Sequence, residues 1–291
     1  MNTKVQNAIK FLYNHYDDAK KYVADSEFYC EYVEEKIYHS MQVIGAMKYI
    51  MKHEKTFQNR DKDFLNYAKI ATILHDVGRF EEIKRLYDAE KNKNGKNSLW
   101  NSKLNHGYFG YEILKNSAEY NDPRIYIPVK HHGNMIEDLY EDEEFLSIKD
   151  EKLKKDIVEI IFLVRDADKT ANYYLVTYGK YTKFPNVFKN SYTEEENSRP
   201  ISPEAMEEFT GFSVVGRENS YNFATRYLNM LSWIFDINYL PSFDLIIKNG
   251  SLSKMADIVY ENSKDPAAQT AIENAVADYL KMRYDEKIRE L

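Results

Sequence analysis

The chain contains seven histidines, and five of them, His39, His75, His106, His131 and His132, fall in or beside segments that read as the ends of buried helices. They stand in the strings YHS at 38–40, LHDVGRF at 74–80, LNHGYFGYEIL at 104–114 and PVKHHGN at 128–134. Two acids, Asp166 and Asp168, lie inside the apolar run FLVRDADKTANYY at 162–174. Buried carboxylates are costly unless they are paired or bind a metal, so that run calls for a reason. Imidazoles and carboxylates together hold divalent transition metals while leaving positions open for water and substrate. A carboxylate has two oxygens and can bridge two cations, which an imidazole coordinating through one nitrogen cannot do. Asp76, next to His75, is therefore the natural bridging group. Two cations roughly 3.5–4 Å apart can hold an attacking oxygen between them and polarise a phosphoryl oxygen.

The elements that must position these residues read almost entirely as helix. The gap between each ligand and the next is long enough for one or two helices, so each would come from a different helix pointing into a bundle centre. Apolar residues at 3–4 spacing predict helices over about 3–24 and 27–55, the second carrying Val43, Met47 and Ile50 on one face. A third, over about 61–75, places Phe64, Ala68, Ala71 and Leu74 together, with Asp61 as its N-cap. Further helices are expected over 103–118, 123–132 and 151–176, then 220–238, 242–262 and 266–289. Asp122-Pro123 and Ser202-Pro203 are N-cap plus first-turn proline signatures, and Gly133 suits a position just past a helix end. The polar stretch from Arg79 to Leu99 reads as a loop, and a short hairpin over 212–215 is the one strand candidate. The fold class expected is all-α: a helical bundle over 1–182, a lid-like insertion over 183–222 that carries prolines 185, 200 and 203, and a C-terminal helical extension over 223–291.

Composition narrows the function classes. At 291 residues, 43% of them hydrophobic and 30% charged, the chain can bury a sizeable core. The net charge of -7 argues against a generic nucleic-acid surface. A single cysteine, Cys30, excludes an internal disulfide and a cysteine-based zinc site. The N-terminal string has no apolar core of a signal peptide, and the most apolar run, Tyr227 to Phe235, is too short to span a bilayer. A cytoplasmic location without membrane contact is expected. The 25 tyrosines are spread along the whole chain, which suits core-edge packing better than base stacking.

Taken together, His39, His75-Asp76 and Asp168 resemble the H…HD…D motif of the HD-domain metal-dependent phosphohydrolases, over about residues 25–180. The resemblance implies metal ligation by His39, His75, Asp76 and Asp168, with Asp166 orienting ligands or capping structure. The extra histidines resemble the two-metal branch, which includes the HD-GYP cyclic dinucleotide phosphodiesterases and the symmetrical diadenosine tetraphosphate hydrolases; that likeness assigns His106 and His131 to a second metal. It also draws attention to Glu35, one turn before His39, and to Arg79, which stands where HD-GYP proteins carry a lysine. The chain departs from HD-GYP proteins in having no GYP after the histidine pair, and from the tetraphosphate hydrolases in extending through 183–291.

The cofactor implied is one or two divalent ions: iron, manganese, zinc, nickel or cobalt, with magnesium also admissible. The implied function is hydrolysis of a phosphoester or phosphoanhydride of a nucleotide or similar small substrate by a metal-bound hydroxide. Asp76, Arg79, His132 and Lys169 are the catalytic candidates, with His132 as ligand, proton donor or orienting group. Arg199 and Arg217 are candidate phosphate contacts in the lid. The alternative is a mixed-valent di-iron oxygenase resembling myo-inositol oxygenase or a phosphonate-cleaving oxygenase. A non-catalytic nucleotide sensor is a third reading, disfavoured by the completeness of the ligand set. The expected partner is a small phosphorylated substrate, and the chain is compatible with a homo-oligomer.

Overall fold

The computed structural model describes residues 3–91, 105–178, 192–263 and 265–289. Among these every regular element is a helix and no strand occurs. The chain divides into two compact units, Met1–Asp168 and Lys169–Leu291. The boundary expected at 182–183 lies outside the described residues.

The first unit begins with α1 (Thr3–Tyr22), α2 (Glu27–His53), a single turn α3 (Lys55–Gln58) and α4 (Lys62–Leu74). Asp61 caps α4 as expected, its Oδ1 accepting from Phe64 N at 2.8 Å. Helix α4 is buried on nearly every side from Phe64 to Leu74, which suits a central element. Two residues, His75 and Asp76, separate it from α5 (Val77–Lys91). The expected loop over 79–99 is thus corrected for its first part, while 92–99 lie outside the described residues. Its polar composition masked a buried stripe of Val77, Phe80, Ile83 and Leu86 at helical spacing, with Glu81, Lys84 and Arg85 pairing on the outer face.

Helices α6 (His106–Lys115) and α7 (Pro123–His131) follow, capped by Asn105 and Asp122. Short turns α8 (Glu137–Tyr140) and α9 (Glu143–Ser147) lead to α10 (Glu151–Tyr178), whose residues to Asp168 belong to this unit. Helix α5 packs along α6, α6 along α7, and α4 between α1 and α7. Gly133 follows α7 as expected but keeps an ordinary φ, because His132 prolongs the helical backbone into the turn.

In the second unit, α11 (Glu194–Ser198) and α12 (Pro203–Thr210) precede α13 (Phe223–Leu231), α14 (Leu240–Lys248), α15 (Ser251–Ser263) and α16 (Pro266–Arg289). The stretch expected to form a lid contributes Ile201, Ala205, Phe209 and Val215 to the same core as Tyr227, Leu231 and Ile272. Its described part is therefore integral to the unit. Residues 212–215 form no hairpin: Phe212 takes a left-handed φ of 61° in the turn after α12. The helix expected over 242–262 is broken at Asn249–Gly250, where Gly250 adopts φ 75°. No helix among the described residues is long and apolar enough to cross a membrane.

Candidate metal centre

The first unit brings six of the singled-out side chains to one point. His39 projects from the middle of α2 in register with the buried Val43, Met47 and Ile50. His75 and Asp76 form the turn between α4 and α5, His106 is the first residue of α6, His132 caps the end of α7, and Asp168 comes from α10. His39, His75, Asp76 and His132 are all under 5% exposed, so these polar groups must be satisfied by one another or by a bound species.

Asp76 occupies the centre. Its Oδ2 lies 3.6 Å from His39 Nε2 and 3.8 Å from His75 Nε2. Its Oδ1 lies 3.4 Å from His106 Nε2 and 3.5 Å from His132 Nε2. The imidazoles are paired in the same way: His39 and His75 nitrogens are 3.4 Å apart, and those of His106 and His132 are 3.1 Å apart. Asp168 Oδ1 closes the first group at 2.9 Å from His39 and 3.8 Å from His75. Donors that share a cation at about 2.1 Å lie roughly 3.0–3.4 Å apart, along the edges of its coordination polyhedron. Both imidazole pairs and the His39–Asp168 contact fall near that spacing, and the Asp76 contacts are only a few tenths longer. The sets His39, His75, Asp168 and His75, Asp76, His132 are each compact enough to take a metal ion.

Two histidines carry a further signature. His75 Nδ1 meets Thr72 O at 2.9 Å, and His132 Nδ1 meets Val129 O at 2.7 Å. A carbonyl oxygen only accepts, so Nδ1 is the donor in both and each ring turns its Nε2 to the centre. Each bond satisfies a carbonyl left open in the last turn of a helix. The ends of α4 and α7, where the helix dipoles are negative, thus face the place where cations would sit.

The electrostatics keep four of these donors, His75, His106, Asp76 and Asp168, in their metal-binding forms. Burial pushes the His75 imidazole down to about 4. Burial, with Arg79 close by, holds His106 well below the ordinary range. For Asp76 burial acts upward, but the neighbouring His75 and Arg79 outweigh it and hold the carboxyl well below the usual carboxylate range. Asp168 is likewise held low, with His39 outweighing burial.

The structure does not bring His131, an expected ligand, into this group: its Nε2 lies 2.9 Å from Asp142 Oδ2, which also pairs with Lys130. His132 stands there instead. Neighbouring helical residues point about 100° apart, and only the C-cap position lets a ring reach back to Val129 O while turning Nε2 inward. Asp166, two residues before Asp168, is fully buried and points roughly 200° away from it around α10. Arg79 Nε lies 3.5 Å from Asp76 Oδ1, and its Nη1 donates to Glu82 Oε2 at 2.7 Å. Burial opposes that guanidinium's charge, but Asp76 and Glu82 outweigh it. Glu35 is half-buried, and burial raises its carboxyl. Lys169, the first residue of the second unit, pairs its Nζ with Asp236 at 2.9 Å. Arg199, also in that unit, lies 3.4 Å from Glu195.

Sequence reasoning missed four contributors. Lys36 stands one turn before His39, near enough to depress His106, with its ammonium 5.3 Å from the Tyr32 ring centre. Its i, i+3 spacing to His39 was the available signal. Glu82 anchors Arg79 and offered only its i+3 relation. Arg165, buried in α10, donates to the Asn134 carbonyl and lies 3.4 Å from that of His132, fixing the backbone after α7. Gly78 is the fourth: a Cβ there would collide with the backbone of α6.

Residues 37–173 match the HD domain family, whose members are generally metal-dependent hydrolases. Neither the curated proteins nor the solved structures compared with the chain gave a match.

Proposed function

We propose that this chain, which matches the HD domain family over residues 37–173, is a two-metal phosphohydrolase that cleaves a phosphoester or phosphoanhydride of a nucleotide or similar small substrate. The observation that carries the reading is Asp76, whose two oxygens address two different imidazole pairs. In this reading His39, His75, Asp168 and Asp76 would hold one cation, and His106, His132 and Asp76 would hold the second. Two cations so held supply a water of lowered pKa and polarise a phosphoryl oxygen.

The protein's own groups prepare the reaction. The His75 and His132 rings, fixed by their backbone bonds, are in the tautomer that ligation needs, and the low pKa of His75 means that no proton has to leave it on binding near neutral pH. Arg79 remains charged, is about a quarter exposed and is held in place by Glu82. It can donate to a phosphoryl oxygen beside Asp76 without reorganising, which is where electrostatic catalysis gains most. Lys36 adds a second cation on the His106 side. Two cationic side chains beside a dimetal centre favour an anionic substrate over a neutral polyol, and this supports phosphohydrolysis over an oxygenase acting on a polyol.

The test is phosphate release under strictly anaerobic conditions. The Mn2+-loaded full-length protein is assayed against nucleoside mono-, di- and triphosphates and bis(p-nitrophenyl) phosphate. Turnover without oxygen is the expected result. Oxygen consumption by an iron-loaded preparation, with no phosphate released from any substrate, would replace this reading with the oxygenase.

A further inference from the structure

We infer that Gly78 is the positioning residue of the second cation site, setting it by allowing the backbone of His106 to close onto the His75–Asp76 turn. The inference rests on the two-cation reading above. Gly78 follows Asp76 by two residues, in the first turn of α5, where α5 packs against α6. A Cβ built there would fall inside the contact radius of both the His106 carbonyl oxygen and the Gly110 nitrogen, and 3.0 Å from Gly110 Cα. All three are backbone atoms, so no side chain can swing aside to make room. Restoring ordinary contacts of about 3.5 Å requires α6 to back away by on the order of 1 Å.

The consequence for the two sites is unequal. His106 is the first residue of α6, and its Nε2 sits 3.4 Å from Asp76 Oδ1 and 3.1 Å from His132 Nε2. Metal sites tolerate ligand displacements of about 0.2 Å, so a shift of α6 opens the second set. The first set draws on α2, the end of α4 and α10, and takes nothing from α6. The other face of α6 also approaches α7 closely: a Cβ at Gly107 would lie 2.6 Å from Lys130 O and 3.2 Å from Val129 O. Helix α6 is therefore held between two neighbours at glycine contacts, and the spacing of its imidazole from Asp76 depends on them. Gly110 differs in that its Cβ would meet a side chain, a methyl of the buried Val129 at 2.7 Å, rather than backbone. Gly45, on α2, has nothing within 4 Å of a built Cβ.

The experiment strips full-length protein of metal, reloads it with Mn2+, and counts equivalents by elemental mass spectrometry, with helical content followed by circular dichroism. The unaltered chain is expected to hold two equivalents, Gly78→Ala one, and Gly45→Ala two. Combining Gly78→Ala with His106→Ala should cost no further metal, a non-additivity that general destabilisation would not produce. Two equivalents in Gly78→Ala at unaltered affinity overturn the inference and leave the two-cation reading standing. One equivalent in the unaltered chain overturns the two-cation reading, and this inference with it. If Gly78→Ala does not fold, Gly107→Ala decides: one equivalent supports the closure of α6 as the determinant, and two overturn it.

Discussion

Replacing Asp76 by asparagine keeps the side chain's shape and removes its charge, and the geometry fixes what should follow. The carboxylate contacts four imidazole nitrogens at 3.4–3.8 Å, two through each oxygen. In the proposed partition, with one oxygen turned to each imidazole pair, it is the one group common to both cation sites. Losing a group that merely orients a ligand weakens metal affinity by about 10–100-fold. Losing a charged donor should exceed that range, giving at least about a 100-fold increase in Kd, or about 2.7 kcal/mol. Since the residue is shared, both equivalents should weaken together. The metal-free fold should survive, because Arg79 keeps its 2.7 Å bond to Glu82 and the amide can still hydrogen-bond. A stability change within about 1–2 kcal/mol is expected. Calorimetric titration of the metal-free variant with Mn2+, alongside circular dichroism, reads both quantities. Loss of a single equivalent would show that Asp76 is not shared. Retention of both at the original affinity would refute the arrangement altogether.

The adjacent histidines separate cleanly: His132→Ala should lose one equivalent of Mn2+ and His131→Ala neither, and the reverse pattern would restore His131 as the ligand. Stability of the metal-free protein should fall in acid. His75 has a folded pKa of about 4 against 6.5 for an ordinary imidazole, so between those values the unfolded chain binds a proton that the folded chain refuses. This contribution is fully present above about pH 6.5 and fades as pH falls toward 4, a loss on the order of 3 kcal/mol. A urea midpoint that stays level from pH 7 to pH 5 would contradict it. Lys36→Ala should raise KM for a phosphorylated substrate by about 10-fold, the scale of one charged hydrogen bond, while metal content stays unchanged. An unaltered KM would remove Lys36 from the substrate site. Gly45→Ala, exposed in the interior of α2 with open space around it, should stabilise the protein by about 0.5–1 kcal/mol, and a lower thermal midpoint would count against the packing described for α2.

Much of the first unit was legible because its residues obey local rules. The Asp61 cap, the Asp122-Pro123 start of α7 and the apolar stripe of α2 each depend on neighbours within a turn or two, and each appears where the pattern puts it. Helix α5 was not legible. Its exposed face is rich in Lys, Glu and Arg, and the apolar residues beneath were read as part of a polar loop. Gly78 was opaque for a different reason. Whether a glycine is needed for close approach depends on which backbone comes near it, and His106 is distant in sequence. The break at Asn249–Gly250 lay inside a continuous apolar period and needed the left-handed φ of Gly250 to become visible.

The exchange of His131 for His132 shows what ligand spacing in sequence leaves undetermined. A pair of adjacent histidines at a helix end offers two rings about 100° apart, and motif order alone does not say which turns inward. The deciding physics is backbone satisfaction. The last carbonyls of a helix lack intrahelical donors, and a histidine just past the last helical residue can supply one through Nδ1. That bond fixes the tautomer, points Nε2 along the helix axis and places the ring at the negative end of the dipole. His75 does this at the end of α4 and His132 does it at the end of α7, each to the carbonyl three residues before it. His131, one residue earlier, is still inside α7 and instead pairs with Asp142. The centre is therefore assembled from one device used twice, a helix terminus closed by the imidazole that it aims. Applied to the amino-acid order alone, the same rule selects His132 over His131 once α7 is taken to end at His131.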